Sequence, residues 1–235
     1  FGGVQSAYYV WLNGTRLGYR EDAFTPGEFD VTRHLRPGEN LLAVEVIPHS
    51  DASYLEDQDY WRFAGIFRDV RLVARPTLFV RDLAVQTDLD GQYRDATLRV
   101  RMAIANASER EHPAPRVRLS LSDATGGVVW SDVVQGPAAV RAGAETTLAA
   151  SPAIPAPRLW TAETPHLYRL AAELLSPSGE VLEAVVSRVG FREVEIRAGQ
   201  LLVNGVAVMF RGVNRHEFAP DTGRVVARET MVRDI

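Results

Sequence analysis

Two short windows hold most of the residues in this chain that could do chemistry. The first is Ser53-Tyr54-Leu55-Glu56-Asp57-Gln58-Asp59-Tyr60-Trp61-Arg62, which continues as Phe63-Ala64-Gly65-Ile66-Phe67-Arg68-Asp69-Val70. Three carboxylates fall close together at Glu56, Asp57 and Asp59, and they repel unless a cation or hydroxyl groups lie among them. A metal ion or a sugar meets that need. Tyr54, Tyr60 and Trp61 flank the acids, and the C–H faces of a sugar ring stack on such rings. A solvated acidic loop balanced by Arg62 and Arg68 has the same composition, so spacing alone leaves both readings open.

The second window is Arg211-Gly212-Val213-Asn214-Arg215-His216-Glu217, directly after the apolar run Val206-Ala207-Val208-Met209-Phe210. An amide, a guanidinium, an imidazole and a carboxylate at the end of a strand suit a pocket for many hydroxyls. His216 could donate to a sugar hydroxyl and steady charge as it develops on the ring. An Arg–Glu surface pair beside an ordinary histidine is the plain alternative. His34, His49, His112 and His166 stand alone, without metal-ligand spacing, and read as structural or surface residues. Neither a G-x-S-x-G elbow nor a P-loop is present.

Bulk composition narrows the partners. The chain has 235 residues, 46% hydrophobic and 24% charged, with a net charge of −4. That is soluble globular composition, and without a basic stripe nucleic acid is not expected as a partner. No apolar run approaches the roughly 20 residues of a membrane span, so no membrane partner is expected either. The absence of cysteine excludes disulfides, a thiol nucleophile and thiolate metal sites. Phe1-Gly2-Gly3 is not a natural start, and Met231 to Ile235 reads as the middle of a helix. Both ends are therefore expected to be cut from a longer protein.

The elements that must hold the two windows read as mainly β. In residues 1–75, Ala7 to Leu12 and Arg16 to Tyr19 flank Asn13-Gly14, a strong hairpin signal. Leu41 to Ile47 and Asp69 to Ala74 read as further strands, with Pro48 to Ile66 as a long loop that carries the acids. In residues 76–188, seven short alternating strands separated by turn signals predict an immunoglobulin-like sandwich. Trp11 and Trp130 are expected in cores. The aromatic-proline segment Leu159 to Tyr168 is expected to pack one domain on another. In residues 189–235, a hairpin about Ala198-Gly199, the turn Asn204-Gly205, a buried strand Val206 to Phe210, a polar loop and a helix from Arg228 follow. That order is how a (β/α)8 barrel can begin, with reactive groups at the strand's C-terminal end.

The Ser53–Val70 block closely resembles the large bacterial lac-type β-galactosidases of glycoside hydrolase family 2. So do Leu159–Tyr168, Val189–Val194, Arg211–Glu217 and Glu229–Ile235, in the family's order. The resemblance implies the C-terminal part of a jelly-roll sugar-binding domain at 1–75 and an immunoglobulin-like β-sandwich at 76–188. Residues 189–235 would be the truncated start of the catalytic barrel. It implies a retaining enzyme that hydrolyses terminal non-reducing β-D-galactosyl residues of a galactoside substrate. Asp59 matches the aspartate that holds the galactosyl 6-hydroxyl and a sodium ion. His216 matches the histidine that contacts the galactosyl ring and stabilises the transition state. The acid/base and nucleophile glutamates and the magnesium ligands would lie beyond Ile235, and the match gives Glu217 no catalytic role. It further implies a cytoplasmic, tetrameric homo-oligomer. Two alternatives stay open: a family 2 β-glucuronidase or β-mannosidase relative, and a non-catalytic carbohydrate-binding or scaffold module.

Overall fold

The computed structural model describes residues 1–56 and 59–235. Asp57 and Gln58, two members of the acidic window, lie outside the described residues. The fold is mainly β, and its contacts divide it into two units, one of Phe1–Val73 with Gly212–Ile235 and one of Ala74–Arg211.

The first unit contains β1 (Val4–Gln5), β2 (Ala7–Leu12), β3 (Thr15–Glu21), β4 (Leu42–Ile47), α1 (Ser53–Glu56) and β5 (Gly65–Ile66). β2 lies between β3 and β4 in an antiparallel sheet. The β2–β3 turn is Asn13-Gly14, with φ of 52° and 81°, the left-handed pair that a tight hairpin requires. The Asn13 side chain also donates to His34 O at 2.9 Å and accepts from Leu41 N at 3.0 Å, tying the turn to the strand that follows. Alternation along β2 buries Tyr8, Val10 and Leu12. Tyr8 and Val10 pack with Val4, and Phe1, Phe29 and Val44 close over them. Trp11 takes the opposite face, half-buried beside Tyr9, rather than entering this core as expected; the period-2 register of β2 gives it no other choice.

β1 pairs with β5 through Val4↔Ile66 and Gln5↔Gly65, which fastens the far end of the acidic loop. Its near end is held by Ser50 N donating to Ser53 Oγ and by Ala23 N donating to Glu56 Oε1 at 2.8 Å. Residues 69–74 are not a strand, contrary to the sequence reading. They are exposed, and no ladder partner lies along them among the described residues, so alternation there has nothing to pair with.

The second unit is a β-sandwich. One sheet holds β6 (Leu78–Leu89), β7 (Ala96–Asn106), β10 (Glu145–Ala150) and β11 (Ala153–Ile154). The other has the order β13-β12-β8-β9, with β8 at Arg116–Ser122, β9 at Val128–Gln135, β12 at Tyr168–Leu175 and β13 at Val181–Val189. Even-numbered residues of β7 and odd-numbered residues of β8 point inward, so Leu98, Met102, Ile104, Leu119 and Leu121 are fully buried. Each such side chain contributes about 1.5–3 kcal/mol by leaving water. Trp130 packs at the margin of this core.

A three-stranded sheet follows, of β14 (Val194–Arg197), β15 (Gln200–Val203) and β16 (Val206–Ala207). It is tied to the sandwich by the Leu159–Tyr168 segment. Asn204 Nδ2 donates to Trp160 O at 3.0 Å, Trp160 N donates to Phe191 O at 2.9 Å, and the Arg192 guanidinium lies 4.5 Å over the Trp160 ring. The run Val206 to Phe210, expected as a buried strand, is a two-residue strand followed by exposed chain, with Met209 and Phe210 each 83% exposed. β16 pairs only with β15 among the described residues, and a barrel strand is buried only when neighbours flank it on both sides.

Candidate functional site

The two windows meet inside the first unit. Asp59 sits at φ 57°, in the left-handed region that aspartate tolerates better than most residues. This turn ends the acidic run and starts the aromatic one. The next residue, Tyr60, places its ring 5.4 Å from the His216 ring at 37°. Its hydroxyl donates to Glu217 O. Trp61 lies 6.4 Å from His216 and stacks on Phe218 at 4.5 Å and 29°. Phe63 stacks on the same Phe218 ring at 5.9 Å. Residues more than 150 positions apart in sequence thus share one aromatic wall, and both His216 and Asp59, the residue before Tyr60, are exposed.

The histidine-bearing loop is braced on its other side. Arg215 Nε lies 3.2 Å from Glu217 Oε1, and Arg215 Nη1 donates to Asp234 Oδ2 of α2 (Arg228–Asp234). The bond to Asp234 raises the already high pKa of the guanidinium. Arg215 and Glu217 are therefore engaged with protein partners, while His216 between them faces outward. The wall supplies what a sugar needs from one side: apolar ring faces beside an imidazole and a carboxylate.

Sequence reasoning singled out Asp59, Tyr60, Trp61 and His216, and the structure brings their segments together. It missed Phe218 and Arg224. Arg224 lies 4.4 Å over the Tyr60 ring, and its Nη2 donates to Trp61 O at 3.5 Å. The available signal was weak: one aromatic just past the motif and one arginine after a glycine turn. Among the described residues no group of three or more histidine, aspartate or glutamate side chains gathers as a metal site. A cleft of about 400 Å3 in the second unit, lined by Leu83, Val85, Thr87, Arg188 and Arg192, holds none of these residues. It lies along strand edges without a carboxylate.

Three models of one family match successive parts of the chain. The sugar-binding domain of glycosyl hydrolases family 2 matches residues 1–76, the central family 2 domain 78–192, and the family 2 TIM-barrel domain 194–235. The chain belongs to glycosyl hydrolase family 2. It carries the sugar-binding domain, the immunoglobulin-like domain and the start of the barrel. It is 43% identical over 238 residues to a protein named β-galactosidase from Priestia megaterium, and 45% identical over 241 residues to one from Pectobacterium atrosepticum. Each alignment covers all of this chain, which spans 23% of the length of either relative. In fold it matches a β-glucuronidase from Bacteroides uniformis with a TM-score of 0.90, at 23% identity, over 99% of this chain and 29% of that one. At that identity the likeness speaks for the fold alone. No helix among the described residues is long and apolar enough to cross a membrane.

Proposed function

We propose that this chain is part of a retaining family 2 β-galactosidase and contributes one wall of its sugar pocket. The observation that carries the proposal is the meeting of the Asp59–Phe63 run with His216 and Phe218, seen together with 43–45% identity, along the whole of this chain, to proteins named β-galactosidase. In this reading Asp59 accepts a hydrogen bond from the galactosyl 6-hydroxyl. His216 donates to the ring's hydroxyls and steadies charge that grows as the glycosidic bond opens. Tyr60 and Trp61 offer the apolar faces on which the ring rests. The acid/base and nucleophile glutamates come from a later part of the polypeptide, so the 235-residue chain by itself turns over no substrate.

Sodium and magnesium belong to the same proposal. Asp59 is a hard oxygen donor of the kind that holds a hard cation. Among the described residues no group of three or more histidine, aspartate or glutamate side chains gathers around it, and no step is assigned to a metal. The full-length enzyme is proposed to be a cytoplasmic homo-oligomer.

A family 2 β-glucuronidase or β-mannosidase is the second reading, which membership of the family leaves open. A panel of nitrophenyl β-galactoside, β-glucuronide and β-mannoside on the full-length protein separates the two. Preferred hydrolysis of the galactoside is expected, and a preference for either other sugar would overturn the proposal.

A further inference from the structure

The segment that follows the histidine loop returns to the aromatic wall and inserts a cation behind it. Ala219 and Gly223 exchange two backbone hydrogen bonds at 2.8 and 2.9 Å, closing a tight turn in which Gly223 has φ +62°. The turn delivers Arg224 into a space bounded by three rings: Tyr60 at 4.4 Å, Phe24 at 5.2 Å and Phe67 at 5.7 Å from the guanidinium carbon. Arg224 Nε is buried, and Nη2 reaches Trp61 O at 3.5 Å. A planar cation among ring faces is held by their quadrupoles, more strongly as water is excluded. Phe24 lies in the bend after β3, Phe67 directly follows β5, Tyr60 belongs to the acidic loop, and Arg224 to the barrel-start segment. One side chain therefore joins three parts of the first unit that are distant in sequence.

The placement on Tyr60 matters most. That ring has His216 at 5.4 Å and Arg224 at 4.4 Å, so both side chains bear on its position. We infer that Arg224 is a positioning residue: a cation–π latch that holds the Tyr60 ring against His216 and so fixes the spacing of the Asp59 and His216 loops. It touches no substrate in this account and acts through Tyr60. The link to catalysis rests on the galactosidase reading; the latch itself does not.

The test uses the full-length protein with Arg224→Met and Arg224→Gln, which keep bulk without charge, and Arg224→Lys, which keeps the charge. With nitrophenyl β-galactoside, both neutral variants are expected to lose about tenfold in kcat/KM, and the lysine variant to recover most of that loss. On a Tyr60→Leu background, Arg224→Met should cost less than about twofold, because the ring through which it acts is gone. Full, additive losses on that background, or neutral variants that match the parent, would overturn the inference. Hydrogen exchange gives an arm independent of activity. Peptides covering residues 59–63 and 216–224 should exchange faster together in Arg224→Gln, with the thermal midpoint little changed. Unchanged exchange in both would sink the latch, whereas an inactive parent would sink only the galactosidase reading.

Discussion

His216 packs on the Tyr60 ring of the aromatic wall, and both it and Asp59, the residue before Tyr60, are exposed. The neighbouring residues explain why they stay available. Arg215 and Glu217 are paired with each other, and Arg215 also with Asp234, so the charges that could compete for His216 are already engaged. If Asp59 holds the sugar's 6-hydroxyl, Asp59→Asn in the full-length protein should lower kcat/KM for a β-galactoside by about 10- to 100-fold, the scale of a charged hydrogen bond. The loss should nearly vanish for the matching 6-deoxygalactoside, which lacks that hydroxyl. Steady-state kinetics on the two substrates checks this directly. At this scale the sequence was partly legible. Acids, aromatics and an imidazole in two windows marked the polar groups. The partners that aim them were hidden, because Phe218 and Arg224 are ordinary residue types whose role comes only from three-dimensional placement.

Elements with their own local chemistry were the most readable. Asn13-Gly14 and Asn204-Gly205 each adopt the paired left-handed turn that their types favour. The sandwich strands follow their alternation closely: β7 and β8 bury every second residue along most of their length. Residues 69–74 and 206–210 were misread because pairing and burial of a strand depend on neighbours, which a local pattern does not contain. Asn204 carries more than its turn. Its Oδ1 accepts from Glu193 N at 2.9 Å while Nδ2 donates to Trp160 O, which ties the 194–207 sheet to the sandwich. Asn204→Ala should destabilise the second unit by about 1–3 kcal/mol, since two backbone groups lose their partner. Phe191 is fully buried and meets Tyr168 edge-on at 5.1 Å. Phe191→Ala should cost about 3–5 kcal/mol. Denaturant unfolding of each variant measures both, and a Phe191→Ala loss below that of Asn204→Ala would contradict this packing account.

For the molecule as a whole, acidity is the lever the structure specifies. Hydrogen bonds hold four aspartates below their ordinary pKa: from Thr25 to Asp22, Thr32 to Asp30, Thr125 to Asp123, and the backbone of Arg94 to Asp90. A carboxylate depressed by folding stabilises the native state above its unfolded pKa and loses that contribution as pH falls through the native value. Asp123→Ala should therefore lower the thermal midpoint near neutrality, with the gap to the parent closing as pH drops below about 4. A gap that persists unchanged at low pH would show that the turn does not depend on the ionised carboxylate. The larger claim is that the loop ending at Asp59 and the loop holding His216 form one face of a single galactose pocket. The most direct measurement is a crystal structure of the full-length protein with a galactose-based inhibitor bound. The account predicts one sugar ring in contact with both Asp59 and His216, resting on the Tyr60–Trp61 wall. A ring bound elsewhere, or one that touches neither side chain, would contradict it.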